Sequence, residues 1–342
     1  MADSPQPPVR DRLGRPLGDL RISVTDRCNF RCTYCMPRAV FGRGYRFLPR
    51  AELLDFDEIV EVAAACVELG VHTIRLTGGE PLLRPGLETL VARLGALHGL
   101  ADLALTTNGA LLDRERAQAL RAAGLRRVTV SLDALDDPTF AAMNDAGCPV
   151  SRVLDAIAAC HAAGLVPVKV NMVVRRGVNE AAILPMAEHF RNTGDVLRFI
   201  EYMDVGTTNG WRREDVVGAQ EILERVGARW PVEPVAPTRP GEVARRYRYL
   251  DGAGEIGVIA SITQPFCTGC TRARLTPEGR LFTCLFASEG LDVRGLLRGG
   301  ADRSGLRRAL AQRWAQRSDR YSQLREELHQ ATGRVEMFRM GG

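Results

Sequence analysis

Two hydrophobic patterns alternate along the chain from residue 19 to about residue 204. Short apolar runs, typical of buried strands, are each followed by a longer stretch whose apolar residues recur every three or four positions, as on one face of a helix. Strands are predicted at 19–24, 73–76, 103–107, 127–132, 166–174 and 196–202. Helices are predicted at 57–70, 86–97, 113–123, 152–163 and 180–192. Repeated strand–helix units form parallel sheets with right-handed crossovers, so the pattern predicts an α/β fold.

The number of units limits the architecture. Six strand–helix units are two short of a closed TIM barrel, which predicts an incomplete (β/α)6 TIM-type barrel. Barrel active sites lie at the C-terminal ends of the strands, and functional side chains are expected there.

After residue 204 the pattern changes. Shorter elements are predicted: a helix at 218–227, strands at 243–250 and 255–260, a hairpin over 271–286, and Arg-rich helices at 301–316 and 319–330. A Pro-rich stretch within this region is typical of a boundary. We therefore predict a flexible N-terminal arm (1–18), a partial barrel (19–204) and a smaller C-terminal α+β domain (205–342).

Composition matches an ordinary globular protein, with 45% hydrophobic and 25% charged residues. No apolar run approaches the roughly 20 residues that cross a bilayer, and the Pro-rich N-terminus lacks the apolar core of a secretory signal. A net charge of +5 is too small to indicate a nucleic-acid surface. These observations predict a soluble cytoplasmic protein with no nucleic-acid or membrane partner.

The positive charge is carried almost entirely by arginine. Among 46 basic residues, Lys169 is the single lysine. It is either a chance surface residue or a position that needs a compact ammonium group where a planar guanidinium will not fit.

Nine cysteines in a cytoplasmic chain indicate metal binding or catalysis rather than disulfides. Cys66 and Cys160 lie within apolar helical patterns, where a cysteine is usually a core residue. Cys148 is isolated. The other six form two groups of three: Cys28, Cys32 and Cys35, and Cys267, Cys270 and Cys284.

The first group follows the first predicted strand, in the segment RISVTDRCNFRCTYCMP. Its spacing is C-x-x-x-C-x-x-C, whereas ferredoxins use C-x-x-C-x-x-C. Full protein ligation of a 4Fe–4S cluster takes four cysteines, so three leave one iron open to another ligand. The alternatives are unrelated cysteines or a zinc site, which would need a fourth ligand, the closest histidine being His72.

This spacing resembles the signature of the radical S-adenosylmethionine superfamily. The segment LTGGEP at the end of the second strand agrees, because its glycines let a ligand approach the backbone. Superfamily members bind the methionine amino group there. The resemblance implies that the open iron chelates S-adenosylmethionine and that reduction yields a 5′-deoxyadenosyl radical.

The second group has the pattern C-x-x-C, thirteen residues, then C. A zinc ribbon would need a second C-x-x-C pair, so another 4Fe–4S cluster with an open iron fits better. Arg272 and Arg274 alternate on the strand after Cys270 and therefore project to one face. Paired guanidinium groups bind phosphate or carboxylate, although a solvated strand face gives the same pattern.

With both cysteine motifs in place, the chain from about residue 19 onward resembles the GTP 3′,8-cyclase family of molybdenum cofactor biosynthesis. The other shared segments are RLTGGEP, TTNG, KVN, RFIE, a T-x-R-x-R-like segment and the final Gly-Gly. The resemblance implies a barrel closed off by the C-terminal domain, with two 4Fe–4S clusters facing each other across a central cavity. In that family the open iron of the second cluster binds guanine.

The resemblance also assigns residues, beginning with the two cysteine groups as cluster ligands. GTP would contact Arg21, Arg75, Thr106, Lys169, Arg198, Arg272, Ala273 and Arg274. S-adenosylmethionine would contact Tyr34, Gly79, Ser131 and Met203. Catalytic roles would fall to Lys169, Arg272, Arg274, Gly341 and Gly342. One departure is Thr73, where relatives often carry a basic residue, which predicts either weaker triphosphate binding or a compensating arginine.

The implied reaction converts GTP to (8S)-3′,8-cyclo-7,8-dihydroguanosine 5′-triphosphate. Hydrogen is taken from C3′ of the ribose, C3′ attacks C8 of guanine, and an electron and a proton complete the product. The implied cofactors are two 4Fe–4S clusters and S-adenosylmethionine. The implied partners are an external electron donor, a downstream cyclic pyranopterin monophosphate synthase and a second copy of the chain in a homodimer.

Two other classes of protein are also compatible with the sequence. Some peptide-modifying radical enzymes carry auxiliary clusters, but their cluster domains usually hold more cysteines than the three found after residue 205 here. A non-enzymatic electron-transfer or zinc module would not need six barrel units or an open coordination site. The terminal Gly341-Gly342 is either frayed chain or, as in the family, a segment that reaches into the active site.

Overall fold

The computed structural model describes residues 9–239, 241–328 and 334–341. Its strands are β1 (Asp19–Ser23), β2 (Thr73–Thr77), β3 (Asp102–Thr107), β4 (Arg127–Ser131), β5 (Lys169–Val174), β6 (Val196–Glu201), β7 (Val232–Val235), β8 (Arg245–Tyr249), β9 (Glu255–Ile259), β10 (Arg272–Leu275), β11 (Arg280–Phe282) and β12 (Leu291–Asp292). Its helices are α1 (Phe56–Glu68), α2 (Leu87–Gly95), α3 (Arg114–Ala122), α4 (Asp137–Asn144), α5 (Val150–Ala162), α6 (Ile183–Phe190), α7 (Ala219–Arg229), α8 (Val293–Arg298), α9 (Arg303–Ala315), α10 (Arg325–Leu328) and α11 (Met337–Met340).

The strands of the described chain join in one sheet, in the order β12-β11-β10-β1-β2-β3-β4-β5-β6-β9-β8-β7. β1 to β6 are parallel neighbours, as repeated strand–helix units require. The parallel run continues at both ends, because β10 pairs with β1 and β9 pairs with β6. The part of the chain after residue 204 therefore extends the sheet of the predicted barrel on both sides, and antiparallel hairpins complete each end.

Alternation along each strand separates core from cavity. On β5, Val170, Met172 and Val174 are fully buried in the apolar core, whereas Lys169 and Asn171 line a cavity on the other face. The helices cover the apolar face; α1, for example, starts with a reciprocal capping box between Asp55 and Glu58 and packs against α9.

Several shorter predictions can be compared directly with the structure. The hairpin over 271–286 is confirmed as β10 and β11, and Cys66 and Cys160 are fully buried as predicted. The long helix predicted at 319–330 is wrong, because only Arg325–Leu328 is helical and residues 329–333 lie outside the described chain. Helices α4, α8 and α11 were not predicted; all three have eight residues or fewer.

The described part of the predicted arm, residues 9–18, is packed against the body. Asp11, Arg15 and Leu17 are buried, and Leu17 belongs to the main core. Residues 1–8 lie outside the described chain, so a flexible arm stays a prediction for them. No helix among the described residues is long and apolar enough to cross a membrane.

Candidate active site

A cavity of about 830 Å³ is lined by side chains from all eight parallel strands, β10, β1 to β6 and β9. Its volume is within the range that holds a small-molecule ligand. Seven of the eight residues predicted to contact GTP line it: Arg21, Arg75, Thr106, Lys169, Arg198, Arg272 and Arg274. Ala273 lies on the opposite face of β10 and is buried in the core, as alternation along the strand requires.

The position of these residues along their strands differs from the expectation. Lys169 and Arg272 are the first residues of β5 and β10, and Arg21 and Arg75 are paired middle residues of β1 and β2. The expectation that they lie at C-terminal strand ends is therefore wrong for most of them. Closed eight-stranded barrels fill their interior with apolar side chains, whereas here the inward positions carry cations around an open cavity.

Burial and mutual repulsion lower the pKa values of several of these cations. Burial, together with neighbouring arginines, lowers the pKa of Arg198 to about 9, of Arg274 to about 9 and of Arg75 to about 10. Burial, then Arg198, lowers the pKa of Lys169 to about 7. A bound polyanion would relieve both the desolvation and the repulsion, so the cavity is suited to a highly charged anion.

Two threonines hold the central guanidinium groups in place. Arg75 Nη1 donates to Thr106 Oγ1 (3.1 Å) and to Thr129 Oγ1 (2.9 Å), and Arg198 Nη2 donates to the same Thr129 hydroxyl (3.2 Å). Thr129 is not among the residues predicted to contact GTP, although it lies on β4 two residues after Arg127 and therefore on the same face. Nε of Arg198 and Nε of Arg272 are buried and have no hydrogen-bond partner within the described chain, which leaves donors for a ligand.

The second cysteine group opens into this cavity. Cys267, Cys270 and Cys284 all line it, beside Arg272. Burial raises the pKa of the Cys270 thiol, but Arg272 and Arg317 outweigh burial and lower it to about 6. Burial raises the pKa of Cys284 to about 12. Three thiols beside cations form a donor set that fits an iron–sulfur cluster with one open iron.

A buried ion-pair network supports the backbone of this group. Arg15 Nη1 donates to the carbonyl of Cys267 (2.7 Å), and Arg317 Nη1 donates to the carbonyl of Cys270 (2.7 Å). Asp11 links the two arginines, accepting from Arg15 Nε at 2.6 Å and from Arg317 Nη1 at 3.3 Å. The N-terminal segment, predicted to be a flexible arm, thus fixes the loop of the second cysteine group.

The first cysteine group lies on the loop after β1 and is not part of the cavity lining. Burial raises the pKa of Cys28 to about 12, and burial also raises the pKa of Cys32 and of Cys35. Among the described residues, no set of three His, Cys, Asp or Glu side chains is spaced to hold a single metal ion. Three cysteines on one loop nevertheless form a donor set that fits an iron–sulfur cluster, which contains several irons rather than one.

The glycines of LTGGEP serve the cysteine loop itself. Gly79 N donates to Thr25 O (2.8 Å), Glu80 N donates to Arg27 O (2.8 Å), and a Cβ on Gly79 would clash with the Arg27 carbonyl. The close approach inferred from sequence is thus made by the chain's own backbone. Glu80 is buried and accepts from Thr107 Oγ1 (2.7 Å) and Asn108 N (2.8 Å), which joins this segment to the end of β3.

The residues predicted to contact S-adenosylmethionine lie on the side of the sheet where the cysteine loop leaves β1. Gly79 and Met203 come two residues after β2 and β6, and Ser131 ends β4. Tyr34 Oη donates to the buried carboxylate of Asp133 (2.9 Å). Of the four, Met203 lines the cavity, whereas Tyr34, Gly79 and Ser131 do not.

The C-terminal segment reaches this region from a distant part of the chain. Arg274 Nη1 donates to the carbonyls of Gly341 (2.6 Å) and Met340 (3.0 Å), and Arg21 Nη1 donates to Gly341 O (3.2 Å). Gly341 has a φ of +69°, and a Cβ there would clash with the Thr77 hydroxyl. Gly342 lies outside the described residues.

The segment also contacts the cysteine loop. Phe338 packs edge-on against Phe41 (5.0 Å between centroids), in a cluster that touches Cys28 and Cys35. Residues 337–341 therefore connect the first cysteine group with two arginines of the cavity.

Family models match both parts of the chain. The Radical SAM superfamily model matches residues 22–190, and the Molybdenum Cofactor Synthesis C model matches residues 195–323.

Curated proteins named GTP 3′,8-cyclase are similar over most of the chain. The protein from Acidothermus cellulolyticus is 57% identical, over 93% of this chain and 89% of that protein. The protein from Xanthomonas campestris pv. campestris is 50% identical over 98% of both. The protein from Staphylococcus saprophyticus is 48% identical over 93% of this chain and 94% of that protein.

A solved structure shares the fold. The crystal structure of Streptococcus suis SuiB bound to S-adenosylmethionine has a TM-score of 0.59 and 13% identity, over 85% of this chain and 67% of that chain. At this identity the likeness concerns the fold alone.

Proposed function

This chain belongs to the GTP 3′,8-cyclase family, and from that membership we propose how its residues carry out the reaction. It is a radical S-adenosylmethionine enzyme that cyclises GTP in molybdenum cofactor biosynthesis. It uses S-adenosylmethionine and an iron–sulfur cluster. The observation that carries the detailed proposal is one cavity that contains the second cysteine group and the six cations predicted to bind GTP.

Two clusters are proposed, one on each cysteine group. Cys28, Cys32 and Cys35 would hold the first, on the loop that LTGGEP and the C-terminal segment both contact. The second group would hold another 4Fe–4S cluster in the cavity wall, where the ion-pair network of Asp11 fixes its backbone. When bound, the first cluster and S-adenosylmethionine supply the radical, and the chain's residues position its target.

The chain's own contribution is to bind and orient GTP. Arg272 and Arg274 would hold the nucleotide next to the second cysteine group, and Arg75, Lys169 and Arg198 would bind the triphosphate. Fixed cations in a buried cavity bind phosphate strongly because less solvent screens them. Tyr34, Gly79, Ser131 and Met203 would hold S-adenosylmethionine on the other side. Met203 supports this arrangement because it also lines the GTP cavity.

The remaining assignments rest on family membership and the sheet order. We propose that the six units of β1 to β6 form an incomplete barrel, closed by the strands after residue 204, since β9 and β10 continue its parallel run. An external electron donor, a downstream cyclic pyranopterin monophosphate synthase and a homodimer are proposed from the family.

The proposed function is tested by anaerobic turnover with GTP, S-adenosylmethionine and reductant. The reaction removes one hydrogen from C3′ and returns one electron and one proton, so the product is an isomer of GTP. We expect a new chromatographic species with the mass of GTP and an equal amount of 5′-deoxyadenosine. Deoxyadenosine release that depends on a peptide rather than on GTP would favour a peptide-modifying enzyme instead.

Lys169 is expected to couple GTP binding to proton uptake. Its pKa in the free enzyme is about 7, because burial and Arg198 disfavour the ammonium. A triphosphate favours the ammonium and raises this pKa, so above about pH 7 binding takes up a proton. The Kd for GTP should therefore rise with pH, by at most about tenfold per unit.

Lys169→Arg is the matched variant, because guanidinium stays charged throughout this range. Its Kd should be flat between about pH 7.5 and pH 8, where the ionisation of phosphate is complete and Arg198 and Arg274, with pKa values of about 9, are still mostly charged. Its turnover should fall, because the bulkier planar group displaces the phosphates. Titration calorimetry in buffers of different ionisation enthalpy measures the proton uptake. Wild-type turnover and an unchanged pH profile in Lys169→Arg would contradict this role.

A further inference from the structure

One wall of the cavity is formed by the loop between β7 and β8. Residues 238–239 and 241–244 of this loop line the cavity. The loop is seated beside the second cysteine group: at Gly241, with a φ of +78°, a Cβ would lie 2.7 Å from the hydroxyl of Thr271, the residue after Cys270. The loop was read in the sequence only as a Pro-rich boundary, with no part in a site.

Arg239 extends from this loop across the N-terminal ends of two strands. Its Nη1 donates to Thr73 Oγ1 (2.7 Å), and its Nη2 lies 3.3 Å from Asp19 Oδ1. Asp19 and Thr73 are the paired first residues of β1 and β2. Asp19 also accepts from the Thr271 hydroxyl, so one carboxylate orients both the guanidinium and the loop's seat. The Arg239 side chain is 34% exposed and is part of the cavity lining.

Arg239 shares the cavity with several cations, and the carboxylates of Asp19, Asp102 and Glu242 line it as well. After burial and Arg127, Arg239 contributes to lowering the pKa of Arg75. Lys169, Arg127 and Arg198 line the same cavity. Arg127 is paired with Asp102, donating from Nε at 2.9 Å. Asp19 offsets part of the repulsion between Arg239 and these cations, and a bound polyanion would offset more of it.

We infer that Arg239 is a phosphate-binding residue. It supplies a cation from the loop, because β2 has the uncharged Thr73 at the position where a basic residue is expected. This inference rests on the proposed function and deepens it, because it assigns the terminal phosphates of GTP to the end of the cavity at Arg239, Arg75 and Lys169. Arg239 thereby favours the triphosphate over shorter nucleotides. Thr73 holds the guanidinium in place through its hydroxyl.

The test compares nucleotide binding in Arg239→Ala, Arg239→Lys and wild type, each with its clusters in place and without S-adenosylmethionine. We expect Arg239→Ala to raise the Kd for GTP about tenfold to a hundredfold, as for a lost charge-assisted hydrogen bond. The Kd for guanosine monophosphate should stay unchanged, and Arg239→Lys should keep most of the preference for GTP. The matched control is Arg248→Ala, which removes an exposed arginine of β8 that pairs with Glu233 outside the cavity.

Three results would overturn the role of Arg239. Suppose that Arg239→Ala has the same ratio of GTP affinity to guanosine monophosphate affinity as the wild type, and that the wild type cyclises GTP. This result would overturn the inference about Arg239 and leave the proposed function standing. Equal weakening of both nucleotides would also overturn it, because the loop would then act on the nucleoside. Absence of GTP binding and of cyclised product in the wild type would overturn the proposed function, and this inference with it.

Discussion

Serine in place of Cys28, Cys32 or Cys35 is expected to abolish the formation of 5′-deoxyadenosine altogether. Each substitution removes a thiolate from the proposed first cluster, and about four irons should be lost. GTP cyclisation should stop as a consequence, because no radical is formed. The measurements are iron and sulfide content and deoxyadenosine released after addition of reductant.

The same substitution in the second group should separate the two sites. With serine at Cys267, Cys270 or Cys284, about four irons should again be lost and cyclisation should stop, but some S-adenosylmethionine cleavage should persist. Cys148→Ser is the control, because this partly exposed cysteine belongs to neither group. An unchanged iron content in either set of variants would refute two clusters.

Deletion of Gly341 and Gly342 is expected to reduce GTP cyclisation severely while both clusters and uncoupled S-adenosylmethionine cleavage remain. The physical reason is that the Gly341 carbonyl accepts from both Arg274 and Arg21. Burial, followed by repulsion from Arg274, lowers the pKa of Arg21, so these cations need an acceptor between them. Without it, they would no longer hold GTP in one orientation.

Gly341→Ala offers a finer version of this experiment. Its Cβ would meet the Thr77 hydroxyl, and a φ of +69° disfavours alanine, so the segment should be displaced without being shortened. Cyclised product is measured anaerobically against full-length protein of equal iron content, and a peptide copying the last residues should restore part of the activity to the deletion variant. Equal rates for truncated and full-length protein would mean that the segment is frayed chain.

Local features of this protein can be predicted from the order of its residues. Periodicity located β1 to β6 and the helices between them except α4, because strands and helices expose different spacings of apolar residues. Cysteine spacing was also sufficient to distinguish the two groups from Cys66 and Cys160, since ligands on one loop are close in sequence as well as in space. The family resemblance followed from the same local motifs.

The tertiary structure decided every feature that depends on contacts between distant residues. Periodicity cannot reveal strand partners, so the pairing of β9 and β10 with the two ends of the parallel run was not visible. The sequence also does not reveal the hydrogen bond between Arg239 and Thr73, which are 166 positions apart, or the one between Arg21 and Gly341, which are 320 positions apart.

Residue type alone also misjudged position. Functional side chains are expected at the C-terminal ends of strands, whereas Lys169 and Arg272 begin β5 and β10. A strand pattern fixes the face on which a side chain lies and not its depth in the cavity. The Cβ side of Gly79 faces the backbone of Arg27, a packing requirement that residue type alone does not reveal. The spacing of residues predicts local secondary structure. The pairing of each cation with its hydrogen-bond acceptor depends on the sheet, which brings distant strands together.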